Sequence, residues 1–331
     1  MNVARIYVSL FATAALTGTA FASGPIVPSA HQEKESNSPA VSPETPASIV
    51  GAVQFDLLSK ATNRSYRIFV SKPLLPAPAD GYPVVILTDG NFSFGTAAMQ
   101  GTLRQFGELQ PALIVGVGYP VDDPMEALTL RNRDLVPATP SSAVPANMRQ
   151  EAAASAEFGQ AEQFHRFLVE ELRPALAARY ATNSKDQTLI GASLGGLFAL
   201  HVLFNHPASF RNYAAISPSI WFNDRALLKK EPEFMRKVRA REVAPRIFIS
   251  VGGLEQSVDR DPATPAAVRE AQAKAMKEAG QIENARGLAD RLATAKNSPG
   301  YEVLFHEFEG ETHTSVGPVA ISRALTFALK R

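Results

Sequence analysis

One serine in this chain stands between glycines in a pattern that carries chemistry: Gly191-Ala192-Ser193-Leu194-Gly195-Gly196. The apolar run Gln187-Thr188-Leu189-Ile190 precedes it and a helical pattern over 195–205 follows, so this is G-x-S-x-G at a strand–turn–helix junction. Glycine on either side lets neighbouring backbone crowd a sharp turn, which lifts the serine hydroxyl clear of the strand end. Ser193 is therefore read as a nucleophile for an acyl carbonyl, against the plainer reading of a glycine-rich turn. A hydroxyl needs a base within hydrogen-bond reach, and on such an elbow the acid and then the histidine follow the serine along the chain. His201 falls inside the helix after the serine, His206 in an Asn-His-Pro helix exit and His306 within the last strand. His165, before the serine, is structural. His313, in Gly310-Glu311-Thr312-His313-Thr314, lies in the loop after the last strand and is the candidate base. The acid is expected after the strand at 245–251: Glu255 is the candidate, Asp259 the alternative, and a Ser–His dyad remains if neither orients the imidazole. Charge developing on the carbonyl oxygen needs two donors. The backbone N–H of Leu194 is one. The N–H of Asn91, in Thr88-Asp89-Gly90-Asn91, is the second, with Gly90 the neighbouring choice and a plain Asp-Gly turn the alternative.

These residues need a scaffold that gathers strand ends. Strand-like runs occur at 52–58, 65–71, 83–87, 112–118, 187–190, 213–217, 245–251 and 301–308. Several are continuously apolar, as expected of strands buried on both faces of a parallel sheet. The first two are amphipathic and close together, which suits an antiparallel edge hairpin. Helical spacing marks Phe164, Phe167, Leu168, Leu172, Leu176 and Tyr180 over 161–180, then Ile282, Ala285, Ala289 and Leu292, then 319–329. Alternating β and α units predict a three-layer α/β sandwich around a mostly parallel eight-stranded sheet. Two connections are long, 119–157 with five prolines and the polar, Ala-rich 253–280. Both follow strands at their C-terminal ends, where sites of open α/β sheets lie, and both are read as functional loops. In the first, Arg131 over the mouth of the site would select an anionic or phenolate-bearing substrate through its planar fork. The alternative is a salt bridge to Asp134 or Asp123 that folds the loop. Trp221, the single tryptophan, follows a strand end and offers a flat face to a ring, or else packs into the core. Phe92 and Phe94 line an acyl pocket or pack down.

Taken together, LTDGN at 87–91, GVGYP at 116–120, RNRDLVP at 131–137, GASLGG at 191–196, ISPSIWF at 216–222, VGGLEQ at 251–256, ENARGLADRL at 283–292 and EGETHTS at 309–315 form an ordered set. On them the chain, over roughly 50–331, resembles the putative-esterase family of α/β-hydrolases. Within that family it resembles the exported branch that includes periplasmic trilactone esterases of catecholate siderophores. The resemblance implies a three-layer α/β-hydrolase sandwich, a Ser–His hydrolase with no metal or other cofactor, a small-molecule ester as partner, and Arg131 and Trp221 near the substrate. Thr88, where the family often has Leu, and Phe222 depart from it without touching the chemistry.

Composition narrows the field. Apolar residues make up 45% and charged residues 20%, which excludes a mostly disordered chain. With no cysteine, disulfides, a thiolate nucleophile and thiolate metal sites are excluded. A net charge of +1 gives no electrostatic case for nucleic acid. Residues 1–22 read as a signal peptide: Arg5, an apolar stretch from Ile6 to about Leu16, then Ala20-Phe21-Ala22 at the cleavage site. That stretch is too short and too rich in Ala and Thr for a stable membrane anchor. Residues 23–48 hold five prolines, His31 and few large apolar groups, and read as a disordered linker ahead of a catalytic domain at 49–331. The expectation is an exported serine ester hydrolase, periplasmic or secreted, that works through an acyl-enzyme. Catecholate siderophore trilactones of the enterobactin kind are the first-choice substrate; a general carboxylesterase of other small esters, a non-catalytic siderophore-binding protein, and a peptidase or acyltransferase on the same scaffold are the rivals.

Overall fold

The computed structural model describes Pro43 and residues 47–144, 159–257, 264–295 and 298–331. The expected signal peptide and nearly all of the expected linker lie outside these residues, as does Asp259. Eight strands form one sheet: β1 (Ala52–Leu58), β2 (Ser65–Ser71), β3 (Tyr82–Leu87), β4 (Leu113–Gly118), β5 (Thr182–Ala192), β6 (Asn212–Ile216), β7 (Arg246–Gly252) and β8 (Glu302–Phe308). Their order across the sheet is β1-β2-β4-β3-β5-β6-β7-β8. β1 and β2 pair as an antiparallel hairpin, Ala52 opposite Ser71 and Leu58 opposite Ser65, and β2 runs antiparallel to β4. Every later pairing is parallel, which requires a crossover on one face or the other for each step.

The apolar runs follow from this layering. Successive side chains of β3 point to opposite faces, so Val84 and Ile86 enter one core while Val85 and Leu87 enter the other, and all four are fully or nearly fully buried. The larger core packs the sheet against α3 and α4. α3 joins Ala161–Arg166, a π-helical Phe167–Leu172 and Arg173–Ala177; α4 spans Leu194–Asn205. Phe164, Phe167, Leu168, Leu172 and Leu176 all face this core, as their spacing predicts. α4 is buried at every residue from Leu194 to Phe204, as expected of a sequence that is apolar there apart from His201. The opposite face is covered by α1 (Gly90–Arg104) and by α8 (Val316–Leu329), with Ala97, Ala320, Ala324 and Leu325 packed on Ile114, Ile190 and Phe248. Truncating a fully buried ring such as Phe198 would cost about 3–5 kcal/mol in a core of this kind.

Both long connections contain helices that the sequence reading treats as loops. α2 (Pro124–Leu135) occupies the first. Asp123 caps it, accepting from Met125 N at 2.8 Å, and Pro124 stands at its first position, where a missing N–H costs nothing. The second holds α6 (Ala266–Ala279), which meets α7 (Gln281–Leu292) across Gly280 at a φ of 54°. Between β6 and β7 runs α5 (Glu231–Arg239).

Candidate active site

The turn after β5 has no room for a side chain two residues before or two residues after Ser193. A Cβ on Gly191 would lie 2.1 Å from Gly195 O, and a Cβ on Gly195 would lie 2.3 Å from Thr88 Oγ1. Ser193 itself takes φ 59° and ψ −117°, a conformation worth about 1–3 kcal/mol of strain, and hydrogen bonds hold it there. Its N–H donates to Ile216 O at 2.9 Å, and its carbonyl accepts from Leu197 N at 3.0 Å and Ser219 N at 3.1 Å. The hydroxyl is thereby fixed at the start of α4.

His313 stands against it. Nε2 of His313 is 3.1 Å from Ser193 Oγ, and Nδ1 is 2.6 Å from Glu255 Oε2. Glu255 has no exposed side-chain surface, and its other oxygen accepts from Ser217 Oγ at 2.5 Å and from Gly252 N at 2.6 Å. A carboxylate so placed accepts only, so Nδ1 of His313 carries the proton and Nε2 is left to accept from the serine. The loops that deliver the pair are tied together: Gly253 N donates to Phe308 O at 2.8 Å and Leu254 N to Glu311 O at 2.9 Å. Thr312 and Ser315 exchange backbone-to-hydroxyl bonds at the entry to α8 and fix the turn that carries His313.

The turn after β3 lies beside the serine turn, because β3 and β5 are neighbours and Thr88 N donates to Ile190 O at 3.0 Å. Asp89 takes a φ of 56°, after which α1 starts, so Gly90 and Asn91 are first-turn residues whose N–H groups have no acceptor within the helix. Leu194 is in the same position at the start of α4. The Asn91 side chain is clamped across β4: Oδ1 accepts from Tyr119 N at 2.8 Å, and Nδ2 donates to Tyr119 O at 3.0 Å.

Arg131 departs from the expectation. It lies on α2, is only 8% exposed, and holds no open fork over the mouth. Nε donates to Asp89 Oδ1 at 2.5 Å, and Nη2 to Asp89 Oδ2 at 2.9 Å and Ala192 O at 3.2 Å. Burial pulls its pKa down, but the adjoining Asp89 carboxylate outweighs that and holds it above the ordinary value. The salt bridge anticipated as the alternative thus exists with a different partner. Asp134 is engaged elsewhere, accepting from Arg64 at 2.5 Å and from the Tyr119 hydroxyl at 2.9 Å; Asp123 caps α2. Trp221 is half-buried, two residues beyond Ser219, whose Oγ is 3.4 Å from Ser193 Oγ. Phe94 is packed in, whereas Phe92, next to Asn91, is 45% exposed. Ser217, Ser219 and Asp89 were not foreseen as site residues. Their signal lay in the ISPSIWF and LTDGN segments, read for Trp221 and Asn91 alone.

The other described histidines lie elsewhere. His306 is on β8. His201 and His206 both reach Glu162, and His165 reaches Ser209 Oγ at 2.8 Å. Burial pushes His165 down to about 4, and the hydrogen bond from His201 lowers Glu162 to about 2.

Residues 59–293 match the model of a family described as "Putative esterase". The chain belongs to this esterase family. It is 38% identical over 275 residues to the ferri-bacillibactin esterase BesA of Bacillus subtilis, covering 82% of this chain and 87% of that one. It is 31% identical to a siderophore enterobactin esterase of Emericella nidulans, over 79% of this chain and 88% of that one. The crystal structure of the BES protein from Bacillus cereus superposes with a TM-score of 0.71 at 32% identity, covering 86% of this chain and 98% of that one. The esterase is accordingly a carboxylic ester hydrolase with the α/β-hydrolase fold. Among its described residues no helix is long and apolar enough to cross a membrane.

Proposed function

We propose that this esterase is exported and opens the ester bonds of siderophore trilactones, with Ser193, His313 and Glu255 as its catalytic residues. The observation that carries the reading is the single imidazole bonded on one side to a buried carboxylate at 2.6 Å and on the other to a serine hydroxyl at 3.1 Å. Ser193 Oγ attacks the ester carbonyl as its proton passes to Nε2 of His313. Glu255 holds the ring and stabilises the imidazolium. The tetrahedral oxyanion is received by the N–H groups of Leu194 and Asn91 at the starts of α4 and α1, where the helix dipoles favour negative charge. Collapse expels the alkoxide, protonated by His313 Nε2, and leaves an acyl-enzyme. Water activated by the same nitrogen then releases the acid and restores Ser193.

Arg131 acts as a positioning residue. It fixes Asp89, from which the Asn91 turn departs, and the carbonyl of Ala192 next to the nucleophile. Trp221 and Phe92 remain as ring surfaces for aromatic groups of the substrate. The trilactone class is supported by the relatives named above, a ferri-bacillibactin esterase and a siderophore enterobactin esterase. Export is supported by the leader pattern at 1–22.

The test is a hydrolysis panel of short and long p-nitrophenyl esters, a peptide, and a catecholate trilactone with and without iron. Trilactone turnover with kcat/KM well above that of the simple esters supports the reading. Turnover of simple acyl esters alone would leave a general carboxylesterase, and fluorophosphonate labelling that misses Ser193 would remove the nucleophile.

A further inference from the structure

Three of the six histidines in the chain gather at the end of α4 remote from Ser193. His201 lies in the last turns of α4 and His206 is its C-cap; His165 faces them from α3, one turn after Glu162. The rings of His165 and His206 stack at 4.2 Å with an interplanar angle of 14°. One donor atom from each of Glu162, His165 and His206 lies within 4.8 Å of the others. We propose that Glu162, His165 and His206 form a binding site for one divalent transition-metal ion of the zinc class, which ties α3 to the C-terminal end of the nucleophile helix.

Four features favour a metal over a plain hydrogen-bond cluster. The donor set is two imidazoles and one carboxylate, which suits zinc, cobalt or nickel and is poor for magnesium or calcium. The two ligands of α3 are spaced as Glu-x-x-His, which puts them on one helix face. The outer contacts are those that orient metal ligands. Asn205 Nδ2 is 3.2 Å from His201 Nδ1, so the proton of that ring is on Nε2 and is donated to Glu162 Oε1 at 2.8 Å, which fixes the carboxylate and directs Oε2 at His206. His165 is held by Ser209 Oγ. Finally, the C-terminal end of a 12-residue helix favours a cation, and the exposed sides of Glu162 and His206 give it a way in. Ligand atoms on a bound zinc stand about 3.4 Å apart and the ion lies in the plane of each imidazole it binds, so closure needs a shift of about an ångström and a turn of the partly exposed His206 ring out of its stack on His165.

The test uses the full chain without a histidine tag, stripped with chelator. Zinc titrated by calorimetry should bind one ion per chain at this site. It should also raise the melting temperature by about 5 °C at a hundredfold excess over Kd, while magnesium does nothing. Cobalt should give a visible d–d spectrum. Ser193→Ala should keep the binding, which separates it from the catalytic histidine. His206→Gln and Glu162→Gln should each lose it, with p-nitrophenyl ester turnover of the metal-free proteins within about two-fold of the parent as evidence of folding. Absence of zinc binding to the parent protein at about 100 μM would overturn the proposal. So would binding that survives both substitutions.

Discussion

The two ends of α4 carry the same side-chain types and do different things with them. At the N-terminal end a carboxylate, an imidazole and a serine hydroxyl stand in line, Glu255–His313–Ser193. At the C-terminal end there are again a carboxylate, imidazoles and a serine, but the bonds are divided: Glu162 pairs with His201 and His206, and a different ring, His165, reaches Ser209. No single imidazole there spans acid and hydroxyl, so a proton taken from Ser209 has no stabilised place to go. The backbone differs as well. The N-terminal end presents unpaired N–H groups for an oxyanion, and the C-terminal end presents carbonyls that repel one. What separates the two ends is therefore not residue type but connectivity through one ring and the polarity of the helix.

The comparison is broken most forcefully at Ser193, the proposed nucleophile. Ser193→Ala or His313→Ala should reduce kcat by about 10⁶-fold, and the double variant should lose little more, as expected of the single catalytic unit proposed above. Additive losses in steady-state kinetics would show two independent contributions. Glu255→Gln should keep the fold and lose up to roughly 10⁴-fold, the scale for a lost orienting acid. Only a few-fold loss would point to a dyad or to Asp259. Arg131→Ala should lower kcat by about 10²-fold, the scale of a small misplacement, and by the same factor for an anionic and a neutral ester, since the guanidinium is occupied by Asp89. A loss confined to KM for the anionic ester would instead put Arg131 on the substrate. The smallest effect sharpens the contrast: Ser209→Ala should leave turnover within about two-fold, as expected for a substitution away from the machinery.

Much of the site was legible because its chemistry is written in short, local patterns. The elbow around Ser193 is contiguous, and His313 and Glu255 each follow a strand whose apolar run is plain. The parallel strands could be read because both faces are buried. What escaped detection was tertiary or masked by composition. Asp89 and Arg131 are 42 residues apart, and no local signal pairs them. Ser217 acquires its role only when β6 and β7 bring it under Glu255. α1 carries Gly90, Gly95 and Gly101, poor helix formers, and its pattern is correspondingly faint. α2 was hidden by prolines, although Asp123-Pro124 is itself a helix-start signal. β5 begins at Thr182 rather than Gln187, in a polar stretch that only its neighbour β3 makes a strand.

The three residues of the relay come from the ends of β5, β7 and β8, and the strand that carries the histidine is the last to join the sheet in chain order. During synthesis the segment of the serine elbow emerges well before the strand and loop that bring its proposed base. A chain that stops short of β8 therefore carries Ser193 without its proposed base. With His313 as the proposed base, the relay is incomplete in any chain whose β8 has not paired with β7, so ester turnover reports that this last strand is in place.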